Sequence, residues 1–135
     1  KYILLEISAS WCGVCHELAS WITHDELNIT KKSFWKDEYN QIKEMIKNEE
    51  IYLIHVQFQD EFRDNSSIET IEQWYATYPD DRIVILGDYN RELHTLLKPT
   101  GLPVICILND KLEFVQYSNR GFHEAFDKLI SIYKE

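Results

Sequence analysis

Tyr2-Ile3-Leu4-Leu5-Glu6-Ile7-Ser8-Ala9-Ser10-Trp11-Cys12-Gly13-Val14-Cys15-His16 is the stretch on which the fold turns. Residues 2–7 form a nearly continuous apolar run. Such a run suits a central strand of a parallel sheet, which is covered on both faces. Ser8-Ala9-Ser10 ends it. From residue 13 to 22, Val14, Leu18 and Trp21 or Ile22 recur at helical spacing. The C-x-x-C pair therefore sits where a strand hands over to a helix. The first turn of a helix brings residues i and i+3 together, within the Cα separation of about 4.4–6.8 Å that a disulfide spans. Free N–H groups and partial positive charge at the helix start stabilise a thiolate, the attacking species. Position then divides the labour. Cys12, at the helix start, is expected to be exposed and to attack. Cys15, one turn inside, is expected to be shielded and to resolve the mixed disulfide.

Two other chemistries share this spacing. Half of a zinc site is one, but no second C-x-x-C and no paired histidines stand at finger-like spacing. Cys12-x-x-Cys15-His16 also matches covalent c-type haem attachment, with His16 as axial ligand and Met45 or another histidine opposite. The strand leading into the motif and the strand-rich remainder weigh against haem. No metal or organic cofactor is expected.

Working outward, residues 24–33 read as a polar loop, and a helix over 35–48 carries Tyr39, Ile42, Met45 and Ile46 on one face. Ile51–Phe58 is a strand. Ser66 or Ser67 caps a helix over 68–77. Ile68, Ile71, Trp74, Tyr75 and Tyr78 form an aromatic stripe along it, read as core. Arg82–Leu86 is a third strand and residues 90–97 a short helix. Val104–Leu108 and Leu112–Tyr117 form an antiparallel hairpin across Asn109-Asp110. A closing helix over 121–133 turns Phe122, Phe126, Leu129, Ile130 and Tyr133 inward. The order is β-α-α-β-α-β-α-β-β-α, an α/β protein with a parallel core and an antiparallel edge.

The chain has 135 residues, 44% hydrophobic, enough for one domain over 1–135 with its own core and too apolar for a disordered chain. A net charge of -9 repels phosphate backbones and anionic lipids, so nucleic acid is not an expected partner. No apolar stretch approaches the roughly 20 residues of a membrane span. The chain begins at Lys1, so a preceding signal or anchor is left open. Cys106, within Val104-Ile105-Cys106-Ile107-Leu108, is read as a buried structural thiol, and His55 as a satisfied or edge histidine.

With these residues in place the chain resembles the thioredoxin superfamily. Leu4 to Cys15 is similar to that family's active-site strand and motif, and Thr100-Gly101-Leu102-Pro103-Val104 to the loop that holds its cis-proline. The extra helix and strand between the cysteines and Pro103 look most like exported TlpA-type reductases. The resemblance implies a central mixed sheet with helices on both faces and a helical insertion after the cysteine helix. It implies an enzyme, a thiol–disulfide oxidoreductase acting as a monomer in the periplasm or another extracytoplasmic space, more as a reductase than an oxidant. Its partners would be protein or peptide disulfides and a redox partner protein. It makes Cys12 and Cys15 catalytic. It puts Glu6, a carboxylate that costs free energy inside an apolar strand unless paired or protonated, in proton exchange with Cys15. Trp11, Gly13, Val14, Leu102 and Pro103 would dock the substrate, with Leu102–Pro103 cis. The family's leading elements have no counterpart before Lys1. Gly13-Val14 matches neither the Gly-Pro of reducing thioredoxins nor the Pro-His of strong oxidants. A binding or chaperone-like module that keeps the fold without turnover is the alternative, and haem attachment the third.

Overall fold

The computed structural model describes residues 1–134; Glu135, the last residue of the expected domain, lies outside the described residues. Five strands, β1 (Ile3–Ala9), β2 (Tyr52–Gln59), β3 (Ile83–Gly87), β4 (Val104–Leu108) and β5 (Phe114–Gln116), form one sheet in the order β3-β2-β1-β4-β5. β1 pairs parallel with β2, and β2 with β3, while β4 and β5 run antiparallel. The expected buried central strand is thus β1, hydrogen-bonded on both sides.

Helices α1 (Gly13–His24), α2 (Asn40–Lys47), α3 (Ile68–Thr77), α4 (Glu92–Leu97) and α5 (His123–Lys134) complete the order. Right-handed crossovers that keep moving in one direction stay on one face. The steps β1-α1-β2 and β2-α3-β3 do so. The chain then crosses back behind the sheet through α4 to reach β4. The core divides accordingly. Leu4, Leu53, Ile105 and Ile107 pack against α1, α2 and α5 on one face. Leu5, Ile7, Val56, Phe58 and Val104 pack against Leu93 and Leu97 of α4 on the other.

The region between α1 and β2 is the helical insertion. The segment expected to be a polar loop contains a 3-10 turn, Ile29–Lys31, whose Ile29 is fully buried. The helix expected over 35–48 is a 3-10 turn, Asp37–Tyr39, leading into α2. Tyr39, Ile42, Met45 and Ile46 are all buried. The Tyr39 hydroxyl donates to Asp127 of α5 at 2.8 Å, tying the insertion to the last helix.

Two inward stripes need correction. α3 buries Thr70 and Trp74, one turn apart, and its C-cap Tyr78. Ile68 and Tyr75 face solvent, because the helix meets the sheet along a narrow 70/74/78 line rather than a broad apolar face. Ser67 caps α3 reciprocally with Thr70. Tyr133, expected inward on α5, is half-exposed at the helix end and donates to the Glu50 carbonyl at 3.2 Å.

Candidate active site

Cys12 and Cys15 are joined in a disulfide with their Cα atoms 5.2 Å apart. Cys12 is the N-cap of α1, in extended conformation, and its Sγ accepts the Cys15 N–H at 3.2 Å. That hydrogen bond and the positive end of α1 are where a Cys12 thiolate would be held after reduction. Cys15 is completely buried, as expected. Cys12 is not exposed: only 5% of its surface is open, against the expectation for a helix start. Trp11, Val14 and Leu102 pack against the cluster that holds the pair. Gly13 stands open to solvent and Val14 is half-covered.

Trp11 is held from a neighbouring strand. β1 and β2 slip register between Ser8 and Ala9, which sets Gln59 opposite Ala9. Trp11 Nε1–H donates to Gln59 Oε1 at 2.8 Å, and Gln59 Nε2 donates to the Arg63 carbonyl, also at 2.8 Å. The Arg63 guanidinium lies 3.8 Å from the centre of the Trp11 ring, in cation–π range.

The Leu102–Pro103 peptide bond is cis. Pro103 is buried and Leu102 half-buried beside the cysteines. A groove of about 710 Å³ runs along this edge, between Val14, Leu102 and Pro103 on one side and Phe34, Arg120 and His123 on the other. Phe34 belongs to the insertion and meets Phe122 edge to face. Burial lowers the His123 pKa, with Lys36 adding to the effect and Asp127 opposing it.

A buried polar row lies under α1. Glu6 sits directly across the β1–β2 register from His55, and both are 3% exposed. His55 Nδ1 is 2.6 Å from Glu6 Oε1. His55, read from sequence as a satisfied or edge histidine, is satisfied, and Glu6 is its partner. The parallel register that brings residues 49 positions apart side by side has no local sequence signal; only a charged and a titratable residue, each inside an apolar run, hint at a pair.

His16 is half-buried. Its Nε2–H donates to the Ser10 carbonyl at 2.7 Å, so Nδ1 accepts the Tyr78 hydroxyl at 2.6 Å. The Tyr78 pKa is raised by burial, partly offset by Ser20. Both His16 nitrogens are thus engaged, and Met45 is buried in the core under α2. Neither offers an atom to a haem iron, so the residues of that third reading do not fit the group. Among the described residues no three His, Cys, Asp or Glu side chains cluster closely enough to hold a metal ion. No helix there is long and apolar enough to cross a membrane. Cys106 is fully buried, its thiol 3.4 Å from the Ser118 carbonyl, and burial raises its pKa.

No protein-family model matches the chain, and no curated protein matches its sequence. Solved structures do. A conserved Bacteroides fragilis protein of unknown function superposes with a TM-score of 0.62 at 12% identity, over 95% of this chain and 79% of that one. The thioredoxin domain of a thiol-disulfide oxidoreductase from Bacteroides vulgatus gives 0.58 at 14% identity, over 98% and 79%. A thiol:disulfide interchange protein from a Bacteroides species gives 0.59 at 13% identity, over 100% and 74%. Identities this low speak to architecture alone, and what they establish, together with the sheet order above, is that this chain has the thioredoxin-like fold.

Proposed function

We propose that residues 1–135 act as one thioredoxin-like domain, a thiol–disulfide oxidoreductase whose substrates are disulfides of proteins or peptides. One observation carries this reading: a vicinal cysteine pair, joined as a disulfide, with Cys12 as the N-cap of a twelve-residue helix. The names of the structural neighbours are consistent with it.

The chemistry follows from the residues. Starting from the dithiol, the Cys12 thiolate attacks one sulfur of the substrate disulfide. A Cys12–substrate bond forms, the substrate S–S bond breaks, and the leaving sulfur takes a proton from solvent. Cys15 then loses its proton and attacks Cys12 Sγ. The Cys12–Cys15 bond forms and the second substrate sulfur leaves with the electron pair. Two electrons pass from protein to substrate, and both released substrate sulfurs take their protons from solvent. Glu6, buried under α1, serves as acceptor for the Cys15 proton. Trp11, Gly13 and Val14 on one side, and the Leu102–Pro103 edge on the other, line the approach; an extended peptide laid along that edge would pair in β fashion. The direction we infer is reduction, in an extracytoplasmic compartment and as a monomer, with a separate redox protein returning electrons.

A redox titration tests this. The protein is equilibrated in stepped thiol buffers, and free thiols are counted. A two-electron transition near about -270 mV supports a reductase, and one near about -120 mV an oxidant. Cys12→Ser is expected to abolish exchange. If no Cys12–Cys15 disulfide forms at any potential, the enzyme reading fails and a binding module without turnover replaces it.

A further inference from the structure

His16 is bound at both ring nitrogens, and the exchange chemistry above gives it no part. It is the fourth residue of α1 and follows Cys15 directly. Helical side chains lean back over the turn N-terminal to their own Cα, so a residue at this position reaches past the N-cap. The ring lands on the carbonyl of Ser10, two residues before Cys12, with Nε2 at 2.7 Å from the oxygen. A carbonyl only accepts, so Nε2 carries the proton. Nδ1 takes the Tyr78 hydroxyl at 2.6 Å.

Both ends of this contact are anchored. The Ser10 N–H donates to the Gln59 carbonyl of β2 at 3.0 Å, and its hydroxyl donates to Gln57 Oε1 at 3.3 Å. Ser10 is thereby fixed to the sheet. On the other side Tyr78 is buried as the C-cap of α3, in one cluster with Cys12, Cys15 and Trp74. The His16 ring lies against Trp74, with centroids 4.7 Å apart. Both cysteines fall between Ser10 and His16. Within that span the Cys12 N–H donates to the Ala9 carbonyl at 3.1 Å, on the side before the pair. The Cys15 N–H donates to Cys12 Sγ and the His16 N–H to the Cys12 carbonyl, each at 3.2 Å, on the side after. Among the hydrogen bonds of the described residues, only the imidazole joins the segment before Cys12 to the helix after it.

We propose that His16 is a positioning residue of the exchange site. Its Nε2–H bond to the Ser10 carbonyl latches the turn that carries both cysteines, and Tyr78 holds the ring in the tautomer that can do so. The inference rests on the reading of Cys12 and Cys15 as an exchanging pair. No proton or electron passes through the imidazole. In the resolving step Cys15, having lost its proton, attacks Cys12 Sγ. The Cys12–Cys15 bond forms, the Cys12–substrate bond breaks with its electron pair on the substrate sulfur, and that sulfur takes a proton from solvent. A turn held at both ends keeps the two sulfurs in attacking range for more of the time. Without the latch the dithiol gains conformations that closure must give up again. The disulfide then forms less favourably, and the pair is a weaker reductant.

The test is the equilibrium constant of the pair against glutathione, read as a reduction potential, in the wild type, His16→Leu and His16→Gln. Glutamine places an amide N–H near the position of Nε2–H; leucine removes the donor. His16→Leu is expected to favour the dithiol by at least about tenfold over wild type, a potential about 30 mV less negative. His16→Gln is expected to recover to within about threefold, or about 15 mV. A potential compares two folded states, so a loss of stability common to both does not move it. Circular dichroism establishes that each variant is folded. A folded His16→Leu with the wild-type potential overturns the role of His16 and leaves the exchange reading standing. A His16→Gln displaced as far as His16→Leu overturns the N–H as its cause. A wild type that forms no Cys12–Cys15 disulfide overturns the exchange reading, and this one with it. If His16→Leu does not fold, nitrogen NMR of the wild-type dithiol, recorded above the ordinary imidazole pKa of about 6.5, decides. A protonated Nε2 with bare Nδ1 supports the proposal, and the opposite tautomer refutes it.

Discussion

Replacing Trp74 by alanine, with Tyr75→Ala beside it as control, separates the face of α3 that holds the site from the face that does not. Trp74 is 4% exposed and its ring centre lies 4.7 Å from His55, 4.7 Å from His16 and 4.8 Å from Tyr78. Truncating a buried tryptophan costs about 3–5 kcal/mol, through lost transfer energy and the cavity left behind. Unfolding entropy near the melting point is about 2.1 cal/mol/K per residue, or roughly 0.28 kcal/mol/K for a chain this long. A loss of about 4 kcal/mol therefore lowers Tm by about 14 °C. Tyr75 is 43% exposed and its hydroxyl donates to Asp81 at 2.5 Å on the surface. Its removal costs about 0.5 kcal/mol, or about 2 °C. Thermal melts of the oxidised proteins, followed by far-ultraviolet circular dichroism, give both numbers. If Trp74→Ala melts within about 4 °C of wild type, or Tyr75→Ala falls as far as Trp74→Ala, then Trp74 is not the side chain that seats α3 against the cysteine cluster and His55.

Two further outcomes follow from buried groups away from the sulfur chemistry. Burial alone would raise the Asp80 pKa, but hydrogen bonds from the Arg82 side chain and backbone N–H, and from Thr23, outweigh it and lower it. A carboxylate held below its unfolded value contributes stability above that value, about pH 3.9, and loses it as pH falls through the folded value. Asp80→Asn is thus expected to lower stability by about 2 kcal/mol at pH 7, with the gap to wild type closing below about pH 4 in urea melts run at each pH. For Cys106, fully buried with its pKa raised by burial, the native oxidised protein should show no thiol to a disulfide titrant. One thiol should appear on denaturation and three after reduction, matching the free Cys106 and the Cys12–Cys15 pair; rapid native reaction would refute its placement.

The parts of the fold legible in the sequence are those written in local spacing. The run from Tyr2 to Ile7, the helical recurrence of Val14, Leu18, Trp21 and Ile22, and the Asn109-Asp110 turn each fix an element by the residues within it. α3 and β4 fall at the expected residues, 68–77 and 104–108. What was not legible depends on residues distant in the chain. Tyr75 and Trp74 are chemically alike and adjacent, and only the seating of α3 against β2 and β3 decides which is buried. Cys12 looked exposed because a helix start commonly is; part of its cover comes from Leu102, ninety residues away. His55 read as a satisfied or edge histidine with no partner identified, because that partner lies across a parallel ladder. Gln59, which clamps both Trp11 and the Arg63 loop, owes that place to a register slip that no propensity records.

The polar row itself is a cost that the fold carries at its centre. Glu6, Ser8, His55 and Gln57 occupy alternate positions of β1 and β2, on the face toward α1, and all four are buried. Well-packed apolar residues in such places often leave a protein as stable or more so, by about 1–4 kcal/mol for an ion pair, whereas deleting one partner strands a buried charge. Stability therefore gives no reason for the row. Strands that are otherwise consistent with their burial and break the pattern at one set of neighbouring positions mark that set as the place where another demand was met. Here the break runs beneath the helix that begins at the disulfide, and its hydrogen bonds are satisfied in sequence from Ser10 through Gln57 and His55 to Glu6. A row assembled for rigidity alone would function equally well with its donors and acceptors exchanged. This row instead ends on a carboxylate, Glu6, which stands under α1 and directly across the strand register from His55.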